Sequence, residues 1–395
     1  MTKGDSQVVF QSQDQEDLDG FCPFYFACND ECLQQSYLYD YGIAGSLCLL
    51  SVIFSLYYIC MHKSYYTNPH FQSKIIVILL MAPFYSVISV LSITFHSIAD
   101  YLTLIRDIYE AFLLFTFFYL IFSYLAYDEK EQKLIDERVY IRMIEHEKQV
   151  VHLFPFNLCT KPYKLTCQAK AKYFTYRCKK YVLQFFVFKP VLSVFLLIFQ
   201  LFQGSEFLES IDSFIRIFIA TSVTYSLYYL ILFYQALKKP LAPWHPLLKF
   251  LTIKITLFFT FWQDLTLWYV MKEPLLNCFD KNSPHYNEER IVNGILNTFV
   301  CFEMCLMSIA GGIAYSYKPF IHGEVKQSNI TDVLKDNWDT FKRDFRLIKP
   351  KKFGFKETFK QQNYTPDPSR ISKIENIELD TPNKNLYDNL NMSYV

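Results

Sequence analysis

Residues 75–99 read IIVILLMAPFYSVISVLSITFHSIA, a run without a single Asp, Glu, Lys or Arg. A helix of about 20 apolar residues crosses a bilayer core. Lipid offers no water to backbone N–H and C=O groups, so a run of this kind must be helical. Working outward, similar runs occur at Tyr41–Met61 before it and at Asp107–Tyr127, Tyr181–Phe202, Ile211–Leu237, Leu247–Met271 and Val292–Tyr317 after it. The fold class this predicts is an all-α integral membrane protein, a bundle of seven transmembrane helices.

Composition agrees. Of the 395 residues, 52% are hydrophobic and 18% aromatic, with 39 Phe and 30 Tyr against 10 Gly. Mean hydropathy is only +0.10, because polar tails and one polar loop dilute the spans. The net charge of +1 gives no general attraction to nucleic acid. With the N-terminus outside, the segments facing the cytosol hold about 31 of the 39 Lys and Arg, and the outer segments about five. That asymmetry predicts an outer N-terminus and a cytosolic C-terminus. An even number of spans would place the Lys-rich tail outside, so seven fits better than six or eight. Residues 1–40 lack an apolar stretch behind a basic start, so the first span is expected to act as an uncleaved anchor.

Three regions follow: an outer, Cys-containing tail (1–40), the transmembrane domain (41–320) with a cytosolic loop at 128–180, and a largely disordered tail (321–395). Within the loop, Leu134, Ile135, Val139, Ile141 and Ile144 recur at helical spacing. A helix capping the bundle or lying in the interface fits that pattern, and so does a solvated charged helix. Cys22, Cys28, Cys32 and Cys278 fall on the outer side, where disulfides are favoured over metal binding, with three pairings open. Cys159, Cys167 and Cys178 stand among seven basic residues just before the fourth span. They are candidate lipidation sites or free thiols.

Ionisable residues inside spans are costly and mark functional sites or helix-packing pairs. Arg106, Asp107 and Glu110 stand at the outer end of the third span, with Arg106 and Glu110 on one face. Arg216 in the fifth span and Asp264 in the sixth form a further ion-pair candidate. Lys189, before the kink expected at Pro190, and Lys254 are candidate partners of Glu303 in the seventh. Glu110, Lys189, Lys254, Gln263 and Glu303 are the expected lining of a polar path.

Several short motifs occur in order on these spans: Asn68-Pro69 with Gln72; Met81-Ala82-Pro83-Phe84-Tyr85; Ile105-Arg106-Asp107-Ile108-Tyr109-Glu110; Lys189-Pro190; Lys249-Phe250 with Phe261-Trp262-Gln263; and Cys301-Phe302-Glu303-Met304. Together they resemble the organic solute transporter alpha family, which includes the transmembrane protein 184 and Lazarus-type proteins, over about residues 40–320. The resemblance implies seven helices in a plasma membrane or endomembrane. It also implies carriage of amphipathic, sterol- or bile-acid-like organic anions, in one branch with a single-span beta-type subunit. The chain departs from the family pattern at Ile88 and Asp264 and in its isolated loop cysteines.

The expected function is gradient-driven carriage of such solutes across the lipid bilayer, by a protein that acts alone, with the beta-type subunit or as a homo-oligomer. No phosphate-cradling loop, cofactor, metal or nucleic-acid partner is expected. The alternative is a seven-helix trafficking or receptor-like signalling protein without transport activity. A membrane zinc hydrolase is disfavoured: Ser92 and His96 share a span, but the seventh span supplies no histidine pair. The chain is expected not to be an enzyme.

Overall fold

The computed structural model describes residues 30–128, 131, 133–146, 149–154, 156–201, 206–244, 248–253, 286–326 and eight positions between 331 and 342. Most of the expected span Leu247–Met271 lies outside the described residues. So do Cys22, Cys28, Cys278, Lys254, Gln263, Asp264 and residues 343–395. The side chains of Cys32 and Arg216 are likewise outside the description.

Among the described residues, six helical stretches are long and apolar enough to cross a membrane: Tyr37–Ser64, Pro69–Thr94, His96–Ala126, Gln168–Ile198, Ile217–Ala236 and Arg290–Phe320. They belong to α1 (Asp30–Ser64), α2 (Pro69–Leu79) with α3 (Met81–Thr94), α4 (Ala99–Ala126), α6 (Gln168–Leu201), α7 (Glu206–Ala236) and α9 (Glu288–Ala314). The amphipathic α5 (Asp136–His146) and the short α8 (Lys238–Leu241) lie between them.

The boundaries follow local chemistry. Asn68 caps α2 by accepting from the His70 N–H, and Pro69 occupies the first turn, where a missing N–H costs nothing. Helix α2 therefore starts six residues before the apolar run. The α2–α3 junction falls at Leu80, three residues before Pro83, which has no N–H to offer the Leu79 carbonyl. Helix α6 runs on through Pro190, and it begins thirteen residues before the expected span because its basic segment is helical too.

Helix α4 is the centre of the bundle: 78% of its apolar window is buried, against 22% for α1. Its Phe115, Phe117, Phe118 and Phe122 are fully buried, and rings from α6 and α7 close on them. Helix α1 packs against α9 and α3, and α6 against α4 and α7. At one contact the Tyr58 ring of α1 lies directly on the α9 backbone, since a Cβ on Gly312 would lie 2.0 Å from that ring.

The loop after α4 folds onto the bundle. A two-residue antiparallel pair, Tyr127–Asp128 (β1) with Lys133–Leu134 (β2), leads into α5. Val139 and Met143 of α5 are buried against the ends of α4 and α6, and Thr175 reaches the Met143 sulfur at 3.6 Å. Of the two readings open for this segment, α5 takes the bundle-capping one. A second pair, Gln149–Val150 (β3) with Tyr163–Lys164 (β4), closes a loop beside α7. In the C-terminal tail Val333 and Asn337 are buried, and Asn337 donates to the Ser73 carbonyl.

Candidate functional site

Asp107 and Glu110 stand three residues apart on α4 and so share a face. Lys189 and Ser193 are four apart on α6 and do the same. These two faces meet. The buried Lys189 ammonium pairs directly with Glu110 and lies 3.2 Å from Asp107, while the Ser193 hydroxyl donates to Asp107 at 2.9 Å. Rings of Phe112, Phe115 and Phe186 line the same seam. Beside it on α3, Tyr85 and Ser89 carry buried hydroxyls without a partner among the described residues, and Tyr85 lies 6.4 Å from the Tyr109 ring. The cluster holds two acids and one base in a low-dielectric setting, so each charge depends on the others.

This arrangement differs from the pairing expected from depth along the sequence. Among the described residues, Lys189 is not paired with Glu303, and no ion pair joins Arg106 to Glu110. Glu303 is half-buried on α9, which packs on α1 and α3. The reason lies in α4. An apolarity rule places Asp107 at the end of its span, but the helix continues eight residues back to Ala99, about 12 Å of rise. The acids therefore lie inside α4 rather than at its end, level with Lys189. The i, i+3 spacing of two acids on one span, facing the single cation of another, was the sequence signal for the cluster.

A second buried cation was visible only as part of a motif. Lys249 is buried where the segment 248–253 meets α4 and α9. Its ammonium donates to the Trp244 carbonyl at 2.6 Å and lies 5.8 Å and 5.9 Å from the Tyr124 and Tyr315 ring centres. No carboxylate contacts it among the described residues. Tyr315 donates to the Lys249 carbonyl at 2.9 Å, which fixes this turn against α9. A small cavity lined by Ile78, Met81, Thr252, Ser308 and Tyr315 lies alongside.

Gln72, another motif residue, is structural. Its carbonyl oxygen accepts from the Thr67 and Asn68 N–H groups at 2.8 and 2.9 Å. Its amide donates to the carbonyls of His62 and Tyr65 at 3.2 and 2.7 Å. All four hydrogen bonds hold the α1–α2 turn. His96 lies in a single 3-10 turn before α4, and no cluster of metal-ligating side chains occurs among the described residues. Of the loop cysteines, Cys159 is exposed, Cys167 half-buried and Cys178 buried.

Six long apolar helices among the described residues, two of them joined by an ion pair to a buried lysine, define a multi-pass integral membrane protein. The chain belongs to the organic solute transporter alpha family: the family model Organic solute transporter Ostalpha matches residues 40–320. It is also similar to a transmembrane protein 184 homolog of Dictyostelium discoideum, with 30% identity over 300 residues, covering 72% of this chain and 54% of that relative. The chain thus spans about half the length of that curated relative. No solved structure matches it.

Proposed function

We propose that this protein is a gradient-driven carrier of amphipathic organic solutes, specifically sterol- or bile-acid-like organic anions. Lys249 is the observation that carries this reading. A buried ammonium held by one carbonyl and two aromatic faces, with no carboxylate contact among the described residues, has room in its electrostatics for an anionic group. The aromatic walls around it and along the α4–α6 seam suit a ring system. Lys189 serves differently, because Glu110 and Asp107 already neutralise it. In this reading the Lys189 pair is the joint that breaks and reforms as the two helices alternate, and the Tyr85 and Ser89 hydroxyls beside it meet polar atoms of the passing solute.

The proposal includes seven spans with the N-terminus outside, the additional span falling within 247–271. Lys254, Gln263 and Glu303 then extend the polar path, and Cys159 is the accessible lipidation site. A single-span beta-type subunit or a second copy of the chain is the proposed partner. Flux of labelled steroid conjugates into vesicles reconstituted with the purified protein, with and without an added single-span subunit, tests the reading. Saturable uptake supports it. No uptake under either condition would favour the trafficking or signalling alternative.

A further inference from the structure

Between Gln149 and Lys180 the chain carries seven bases and no Asp or Glu. Within this segment the β3–β4 loop presents an apolar tip. Phe154 is 79% exposed and Leu158 76%, with Val151 and Phe156 also exposed. Soluble surfaces rarely show large apolar side chains in such concentration, and a patch of this kind marks a contact with lipid or protein.

The position of the tip selects between these. Tyr181 is where α6 changes from basic (Arg177, Lys179, Lys180) to apolar sequence, which places it at a membrane interface. Tyr181 stacks on Tyr229 of α7 at 4.1 Å and lies 6.1 Å from Tyr225. Tyrosines gathered at one level are the mark of an interfacial belt. Phe156 joins that belt, 5.1 Å from the Tyr228 ring and 6.4 Å from Tyr225. The apolar tip therefore hangs at the height where lipid headgroups meet acyl chains, beside the exposed Lys161, Lys164, Lys172 and Lys180.

Some of the loop's polar groups are paired within it. The Thr160 N–H and hydroxyl both donate to the Phe156 carbonyl, at 2.9 and 2.6 Å, and the Asn157 N–H donates to the Leu153 carbonyl at 3.1 Å. Backbone groups satisfied within the loop can enter an apolar layer at little cost. His152 is the loop's titratable group before Cys159. It hydrogen-bonds the Tyr228 hydroxyl, and burial lowers its pKa below the ordinary imidazole range, so it stays neutral.

From these observations we infer that Val151, Phe154, Phe156 and Leu158 form a membrane-inserting tip. It seats in the monolayer on the lysine-rich side of the bundle, with the flanking lysines engaging anionic phospholipid headgroups. Bases near such a surface are attracted to its negative charge, so the four exposed lysines make the seating selective for anionic lipid.

The test uses the full chain in nanodiscs of phosphatidylcholine with or without phosphatidylserine. Phe154→Trp and Leu158→Trp each add a fluorophore at an exposed position that the fold does not depend on. The added emission, taken as the difference from the parent protein, should be blue-shifted and quenched at least twofold more by brominated lipid than by aqueous iodide. Phosphatidylserine should increase that ratio, and replacing Lys161, Lys164 and Lys172 by Gln should remove the increase. Strong iodide quenching with no lipid quenching at both sites would overturn the inference. A blue shift seen only in native membranes, and not in nanodiscs, would assign the tip to a protein partner and overturn it equally. A ratio unchanged by phosphatidylserine would overturn the anionic-lipid selectivity.

Discussion

Lys189 on α6 and Glu110 on α4 form a direct ion pair within the apolar span of each helix, and Asp107 completes the contact at 3.2 Å. The pair joins the central helix to its main partner, so the cost of breaking it falls on the core of the bundle. Removing one member of a buried pair leaves an uncompensated charge, a penalty of about 3–5 kcal/mol. Lys189→Met strands two carboxylates, whereas Glu110→Gln leaves Lys189 paired with Asp107. Lys189→Met should therefore lower the melting temperature in detergent markedly more than Glu110→Gln. Adding Glu110→Gln and Asp107→Asn to Lys189→Met should recover most of the loss. Melting of Lys189→Met at the parent temperature would show that the pair contributes nothing to the fold.

At the α1–α9 contact, glycine is needed for space rather than for backbone freedom. A methyl group on residue 312 would overlap the Tyr58 ring. Gly312→Ala should cost roughly 1–3 kcal/mol through overpacking. Tyr58→Ala alone opens a cavity, but in combination with Gly312→Ala the two defects should partly cancel. A double-variant melt measures this directly, and simple additivity of the two losses would argue against the contact.

Gln72 makes four hydrogen bonds across the α1–α2 turn. Net contributions near 1 kcal/mol per hydrogen bond suggest a loss of roughly 2–4 kcal/mol for Gln72→Leu, which leaves buried backbone groups unpaired. Gln72→Glu keeps the shape but loses both donors, and should be nearly as damaging. Either variant melting within a degree of the parent would mean the turn is held by other contacts.

Thiol access separates the loop cysteines. Cys159 is exposed and Cys178 buried. Maleimide labelling of folded protein should modify Cys159 at least tenfold faster than Cys178, and any hydroxylamine-sensitive acyl group should map to Cys159 or Cys167. Acylated Cys178 in protein from native membranes would contradict this packing.

Much of the fold was legible because the bilayer makes helix formation a matter of apolar length. The runs at 41–61, 107–127, 181–202, 211–237 and 292–317 each fall almost wholly on one described helix, and the run at 75–99 is divided mainly between α2 and α3. Their ends were not legible in the same way. The Asn68 cap starts α2 early, α4 carries four charged residues (Asp100, Arg106, Asp107 and Glu110) inside its helix, and α6 keeps a basic segment helical before it reaches the apolar part. An apolarity rule stops at each of these features, while the backbone hydrogen bonds continue. The candidate site suffered from the same error. Lys189, Glu110 and Asp107 were each singled out, but their partnership was hidden because α4 was read about 12 Å too short. Lys249 passed as a motif residue because its meaning lies in what surrounds it, the Tyr124 and Tyr315 rings, and these come from distant parts of the chain.

Orientation has a simple chemical test. Asn329-Ile-Thr331, Asn363-Tyr-Thr365 and Asn391-Met-Ser393 are glycosylation acceptors by pattern. With seven spans and an outer N-terminus, all three face the cytosol and stay unmodified. An endoglycosidase-sensitive mass shift that disappears when one of these asparagines is replaced would overturn the count of seven spans with an outer N-terminus.

The central claim is that this bundle carries organic anions and that Lys249 meets them. Its most direct test is saturable uptake of a labelled steroid sulfate into proteoliposomes containing the parent protein or Lys249→Met, each shown by melting to be folded. The parent should show saturable uptake and Lys249→Met at least a tenfold loss, with a neutral steroid of the same ring system much less affected. Uptake by the parent no greater than in empty vesicles, or equal steroid sulfate uptake by both folded proteins, would contradict it.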